Sequence, residues 1–166
     1  MRWALALGLV AALAGTASAG GTFEIGFGGG TVTNRIDGKN DTAGAGSSPT
    51  IGAGARLNDR TWVLGRISLV FAKDTSYAFF GGSLQYFPTD RFFVAGGVGM
   101  VEQDFDEPLP GTMTTGYLGF AADVRAGVNL FPDYRHTVLL QLDLTPTIYS
   151  DTQSLSAMLL ASYQYL

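Results

Sequence analysis

The clearest structural signal in this chain is the stretch LGFAADVRAGVNL at residues 118–130. Every second residue in it is apolar, including Phe120, Val124 and Val128, whereas Asp123 and Arg125 occupy intervening positions. A helix of 3.6 residues per turn would distribute those charges around its circumference, but a β-strand sends alternate side chains to opposite faces. The stretch therefore predicts a strand with one apolar face and one polar face.

Seven further segments alternate in the same way, which predicts eight strands in all. These segments are Phe23–Gly28, Ile51–Arg56, Val63–Phe71, Phe80–Tyr86, Phe92–Gly99, Val138–Ile148 and Leu155–Tyr165. Tight turns rich in Asn, Asp and Pro follow strands two, four and six, at residues 58–60, 88–91 and 132–135. The other connections include long polar loops at 31–49 and 102–114. The three tight turns thus fall on one side of an antiparallel up-and-down barrel, which we expect to be the periplasmic side.

Three features indicate that the polar faces point into the barrel and the apolar faces into lipid. The polar faces are rich in glycine, the apolar faces carry almost no charge, and aromatic residues collect near the turns. We expect these aromatic residues to form an interfacial girdle: Trp62, Tyr86, Phe87, Phe92, Phe93, Phe131, Tyr134, Tyr163 and Tyr165. The predicted fold class is an all-β, eight-stranded antiparallel up-and-down transmembrane β-barrel. A soluble periplasmic lipocalin-like binding barrel, with its apolar face inward, is the alternative.

Six charged side chains project into the lumen of the predicted membrane barrel and form a charge network. They are Glu24, Arg56, Arg66, Asp123, Arg125 and Asp143. Three acids and three bases can pair there, and an unpaired charge in so narrow a space would be unfavourable. Because an eight-stranded barrel is largely filled by its own side chains, we expect a closed polar plug. A narrow channel is the alternative function for the same residues.

Residues 1–19 have the features of a cleavable signal peptide. Arg2 provides the positive charge, residues 4–14 form an apolar run too short to span a bilayer, and Ala17-Ser18-Ala19 forms a cleavage site. We therefore expect one mature domain, the outer-membrane barrel, at residues 20–166. The chain has a formal net charge of −4 and no basic stripe, which argues against a nucleic-acid partner. It contains no cysteine, which excludes disulfides and thiol chemistry.

No motif in the chain predicts catalysis, a cofactor or a metal. His136 is the single histidine, and no serine and acid accompany it at the spacing of a catalytic triad. An acidic outer loop contains Glu102, Asp104, Asp106 and Glu107, but it lacks the spacing and the glycine of a defined calcium loop. We expect this loop to present a solvated acidic face.

The turns YFPTDR at 86–91 and LFPDYR at 130–135, with the export signal and the Gly-rich first strand, resemble the small outer-membrane β-barrel superfamily. The segment DRFFVAGGVG at 90–99 is similar to the fifth strand of its OmpA/OmpX-type and opacity-like eight-stranded members. The resemblance implies a location in the Gram-negative cell outer membrane, contact with lipid and lipopolysaccharide, and insertion by the barrel-insertion machinery. Barrels of this superfamily serve as envelope tethers, adhesins, resistance factors or, occasionally, lipid-modifying enzymes. Because the chain has no catalytic motif, we predict a non-enzymatic structural, adhesive or envelope-integrity role, with an extracellular partner for the 31–49 and 102–114 loops.

Overall fold

The computed structural model describes residues 21–36, 39–73, 75–105, 116–132, 136–149 and 152–165. The strands in these residues are β1 (Gly21–Ile36), β2 (Lys39–Ser47), β3 (Thr50–Asn58), β4 (Thr61–Ala72), β5 (Thr75–Tyr86), β6 (Phe92–Phe105), β7 (Gly116–Asn129), β8 (His136–Ile148) and β9 (Gln153–Tyr165). Across the described ranges, no helix is long and apolar enough to cross a membrane.

The sheet closes on itself because β1 pairs with β9 on one side and with β3 on the other. From β3 to β9 the strands pair antiparallel in chain order. β2 pairs with the second half of β1, and with β4 at Ala45 and Ser47. β2 and β3 therefore lie one after the other between β1 and β4, and together they count as one strand of the wall. The wall therefore has eight positions, which confirms the predicted eight-stranded up-and-down barrel. Closure pairs the strand edges that an open sheet would expose.

The two ends of the barrel differ. β3 and β4, β5 and β6, and β7 and β8 are joined at one end, which we call the turn end; β1 starts and β9 finishes there. β1 and β2, β4 and β5, β6 and β7, and β8 and β9 are joined at the opposite end, which we call the loop end, whereas β2 continues into β3 within the wall.

The predicted loop at 31–49 is wrong over most of its length. β1 continues to Ile36 and β2 covers Lys39–Ser47, so this part of the chain is mainly a two-stranded extension of the wall. Val32 is buried in an apolar cluster, and buried Asn34 accepts a hydrogen bond from Gln103 at 3.1 Å. The outward residues of this extension are polar, so the hydrophobic alternation that marks the other strands is missing from the sequence.

The outer wall is apolar around the whole ring. Its exposed side chains include Phe23, Ile25, Phe27, Val63, Leu84, Val94, Val98, Phe120, Val124, Leu142 and Leu159. Every second residue between them faces inward and is mostly polar or small. This arrangement is typical of a barrel whose outer surface contacts lipid.

The ladder between β7 and β8 has one interruption, and it coincides with Pro146. Pairing runs to Ala121↔Thr147, stops, and resumes at Val124↔Leu144 in the same register. The two missing pairs are those that depend on a hydrogen bond from the nitrogen of residue 146 to the Ala122 carbonyl. Proline has no N–H to donate, so this carbonyl loses its ladder partner within the wall.

Replacing Pro146 by valine is expected to raise the free energy of unfolding by about 1 kcal/mol, because it restores one backbone hydrogen bond within the wall. Urea unfolding of the purified barrel in micelles measures this gain, and hydrogen exchange at the new amide should be slow. Pro132→Val, an exposed position outside the strands, is the control and should give no gain. Fast exchange at residue 146 would contradict the assignment of the ladder break to the missing donor.

Candidate functional site

Arg66 crosses the interior from β4 to the opposite wall. Its Nη1 donates to Oδ1 of Asp123 in β7 at 3.0 Å, and its Nη2 donates to Oδ2 of Asp143 in β8 at 2.6 Å. Thr145 donates a further hydrogen bond to Asp143 at 3.2 Å. All three charged side chains are buried, and charge-assisted hydrogen bonds are the interactions that can offset such burial. Arg66 therefore ties β4 to β7 and β8 through the centre of the barrel.

Arg125 makes a second crossing, from β7 towards β1 and β5. Its Nη1 donates to Oε2 of Glu24 at 3.2 Å and its Nη2 donates to Oγ of Ser83 at 2.8 Å. Its Nε lies 3.2 Å from Oδ2 of Asp123, which joins the two arginines through one carboxylate. Gln141 adds a hydrogen bond to Glu24 at 2.9 Å. Three carboxylates and two guanidinium groups thus form one connected charge layer.

Arg56 does not belong to this layer, contrary to the prediction from its position in the alternation. β3 has a register irregularity between Arg56 and Asn58, where the strand reaches the turn end. The Arg56 side chain is exposed there, 2.5 Å from Asp59, and its guanidinium lies 5.8 Å from the centre of the Trp62 ring. A long side chain so close to the strand end reaches the solvent, which avoids the desolvation that the interior would impose.

An apolar cluster closes the interior at the turn end. It consists of Trp62, Phe87, Phe93, Ala95 and Leu139. The Phe87 ring lies 4.9 Å from that of Trp62 and 5.6 Å from that of Phe93. The prediction that placed these three aromatic residues in the outer girdle is therefore wrong. Their positions in the alternation indicate the inward face. Phe87 lies two residues after inward-facing Gln85, and Phe93 lies two residues before inward-facing Ala95.

The other residues of the predicted girdle lie mostly on the outer surface. Tyr86, Phe92, Phe131, Tyr163 and Tyr165 are exposed on the outer surface near the turn end. Tyr134 lies outside the described residues.

A larger apolar cluster closes the interior towards the loop end. It consists of Val32, Ala45, Val70, Tyr77, Phe79, Val101, Ala121, Tyr149, Met158 and Leu160. Gln103 lies beside it, where it donates to Thr75 at 3.0 Å and accepts from the Tyr149 hydroxyl at 2.5 Å. The charge layer is thus enclosed between two apolar clusters, an order that the alternation pattern did not predict.

Polar groups between the turn-end cluster and the charge layer are paired with one another. The amides of Gln85 and Gln164 exchange two hydrogen bonds, at 3.1 and 3.2 Å, and Gln164 also donates to Thr22 at 3.2 Å. Both glutamines are fully buried. Such pairing satisfies amides that would otherwise be costly to bury.

Glycine makes room for the interior aromatic rings. A Cβ on Gly127 would lie 2.6 Å from the Phe93 ring, and one on Gly81 would lie 2.3 Å from the Phe79 ring. A Cβ on Gly119 would lie 2.6 Å from Tyr149. The high glycine content of the polar faces is therefore explained by two causes: aromatic rings pack directly on these glycines, and the lumen is narrow.

The remaining sequence candidates do not come together as a site. Glu102 and Asp104 lie in β6, whereas Asp106 and Glu107 fall outside the described residues. His136 lies at the turn end, with Nδ1 2.5 Å from the Tyr163 hydroxyl. Within the described part of the chain, no three histidine or acidic side chains are placed to hold a metal ion.

Solved structures share this architecture. Neisserial surface protein A aligns with a TM-score of 0.66 at 14% identity, over 89% of this chain and 97% of that protein. Ail, the attachment invasion locus protein of Yersinia pestis, solved with the heparin analogue sucrose octasulfate, aligns with a TM-score of 0.61 at 13% identity, over 88% and 99%. The chain has the fold of the small outer-membrane β-barrels. This confirms the resemblance inferred from the two proline turns and the alternating strands.

No protein-family model matches the sequence, and no curated protein matches it either. The likeness to solved barrels therefore establishes the fold, and the chemistry must be argued from this chain's own interior and ends.

Proposed function

We propose that this protein is a closed, non-enzymatic barrel of the outer membrane, and that it acts through the connections at its loop end. The role is structural or adhesive, or it maintains the integrity of the envelope. The observation that carries the proposal is the sealed interior, in which the charge layer lies between two apolar clusters. A lumen filled in this way holds the wall together and leaves activity to the surface.

The outer wall and the loop end support the same proposal. The apolar wall suits direct contact with outer-membrane lipid and the acyl chains of lipopolysaccharide, and delivery by the barrel-insertion machinery follows from that location. At the loop end, the β1–β2 extension presents exposed polar residues, among them Lys39, Asn40 and Asp41. The similar barrels described above are by name a surface protein and an attachment protein, which agrees with a surface role.

A planar lipid bilayer tests the closed lumen. Purified barrel that migrates in its compact, heat-modifiable form is expected to give no single-channel current steps, because an apolar cluster lies on each side of the charge layer. A general porin inserted under the same conditions is the positive control. Reproducible steps from the wild-type barrel would contradict the proposal and favour the narrow channel.

The role of the loop end is tested with cells that express surface variants. Replacing residues 39–42 and 106–113 by Gly and Ser is expected to reduce attachment to cultured cells, or survival in deoxycholate, to the level of cells without the protein. The control variant Asp90→Ser carries its change at the turn end, where it is exposed, and should behave as wild type. Unchanged attachment and survival in the loop variant, with normal amounts of folded protein, would contradict a surface role.

A further inference from the structure

A recess opens at the turn end, on the side of the barrel away from the loops. Its volume is about 810 Å³, and it is enclosed by the β3–β4 and β5–β6 turns and by the ends of β7 and β8. The turn-end apolar cluster forms its floor, because Trp62 and Phe87 belong to both. The recess is thus a closed-ended pocket, separate from the charge layer above the cluster.

Two buried polar groups in the lining have no hydrogen-bond partner among the described residues. They are Nε1 of Trp62, whose side chain is 5% exposed, and Oγ1 of Thr137, which is fully buried. Leaving a buried donor unpaired is unfavourable, so such atoms call for an explanation. The edge-to-face contact with Phe87, at an angle of 72°, holds the Trp62 ring in its orientation. Both atoms are themselves almost inaccessible, so a ligand in the recess reaches them only if the side chains that cover them move.

The rim of the recess is positively charged. Arg56, Arg60 and Arg91 outnumber Asp59 and Asp90 among the lining residues. Arg56 is already engaged with Asp59. Arg60 uses Nη1 to donate to the Pro88 carbonyl at 3.1 Å, and within the described part of the chain Arg91 makes no ion pair. Two guanidinium groups therefore keep donors for a planar anion, which the guanidinium fork can bind in bidentate fashion.

We propose that the turn-side recess binds a small carboxylate carried on an apolar, planar body. Arg60 and Arg91 would hold the carboxylate, and exposed Pro132 would provide an apolar wall for the body. The Trp62 and Phe87 side chains would form the floor beneath the apolar body. The site lies at the end opposite the proposed surface role, so the two proposals stand or fall separately.

The indole N–H of Trp62 reports directly on this site. The sequence contains only two tryptophans, Trp3 and Trp62, and Trp3 lies in the predicted signal peptide. The processed protein, labelled with ¹⁵N in uncharged dodecyl maltoside micelles, is titrated with benzoate. We expect a saturable shift of the Trp62 resonance with a Kd of roughly 1 mM, a range accessible to a ligand of this size.

Three comparisons make the test decisive. Benzamide, which has the same shape without the charge, should bind about tenfold more weakly, and the double variant Arg60→Gln/Arg91→Gln should weaken benzoate binding about tenfold. Arg91→Gln alone provides the same test if the double variant does not fold. Arg35→Gln, an exposed arginine near the loop end, should leave binding unchanged. A non-saturable shift, equal binding of benzamide, or wild-type binding by the arginine variants would overturn the proposal. Tighter binding of phenyl phosphate would overturn the choice of a carboxylate.

Discussion

Replacing Arg66 by methionine is expected to lower the free energy of unfolding of the barrel by about 3–5 kcal/mol. Arg66 neutralises Asp123 and Asp143 at once, at 3.0 and 2.6 Å, and all three side chains are buried. Methionine preserves most of the volume but leaves two carboxylates in the interior without this counter-charge. Water cannot take over the role of the arginine, because apolar clusters close the charge layer on both sides.

The measurement is urea unfolding in micelles, followed by the loss of the compact, heat-modifiable form on a gel. Arg56→Met is the matched control, since Arg56 is also an arginine in an ion pair but is exposed at the turn end. We expect this control to change stability little, because solvent-exposed ion pairs contribute little. A loss of similar size in both variants would contradict the special role of the interior layer.

A second variant distinguishes the loss of charge balance from a packing defect. Adding Asp143→Asn to Arg66→Met removes one of the carboxylates left without its partner, and it should recover part of the lost stability. If Arg66→Met does not fold at all, Arg66→Lys keeps the charge but cannot reach both carboxylates, and should be destabilised to an intermediate extent. No recovery in the double variant would point to packing as the cause.

Replacing Gly54 by alanine is expected to destabilise the barrel by about 3 kcal/mol, the upper part of the range for overpacking. Gly54 in β3 pairs with Leu64 in β4, and a Cβ at this position would lie 1.8 Å from the Val63 carbonyl oxygen. The obstacle is backbone, so no side-chain rotation can remove the clash. The strands must separate locally, which weakens their ladder.

Gly96→Ala is the matched control for this prediction. Gly96 is also a strand glycine, in β6, but a Cβ there would meet no atom within 4 Å. This substitution should be neutral or slightly stabilising, by about 0.5 kcal/mol, because alanine has less conformational freedom to lose on folding. Unfolding curves that coincide for the two variants would contradict the close approach of β3 and β4 at Gly54.

Much of the barrel follows from the local pattern. In β7, Asp123 and Arg125 alternate with Val124 and Ala126, and the structure buries the two charges and exposes the two apolar side chains. Lipid outside and a narrow lumen inside impose opposite chemistry on adjacent residues, so alternation separates the two faces, and the glycine-rich polar faces indicate which of them points inward. The pattern fails in the β1–β2 extension, as at Thr31 and Thr33, because the outward residues there are polar and the apolar alternation that marks the other strands is lost.

Aromatic residues near the turns show a second limit of local reasoning. Tyr86 and Phe87 are adjacent, yet the first is exposed and the second is buried in the turn-end cluster. Residue type cannot separate them, since an aromatic ring suits both the membrane interface and the core. Their positions in the alternation do separate them, and that signal outweighs the tendency of aromatic residues to collect at interfaces.

The alternating sequence thus accounts for the strands, for the faces that meet lipid, and for the charged residues placed inside. It does not account for the partners of those charges. Arg66 meets Asp123, 57 positions later in the chain, and Asp143, 77 positions later. These contacts arise because the barrel closes between β1 and β9, which brings opposite walls within reach of one side chain. The tilt and stagger of the closed ring set which residues lie at the same height, and no local pattern in the chain encodes that height.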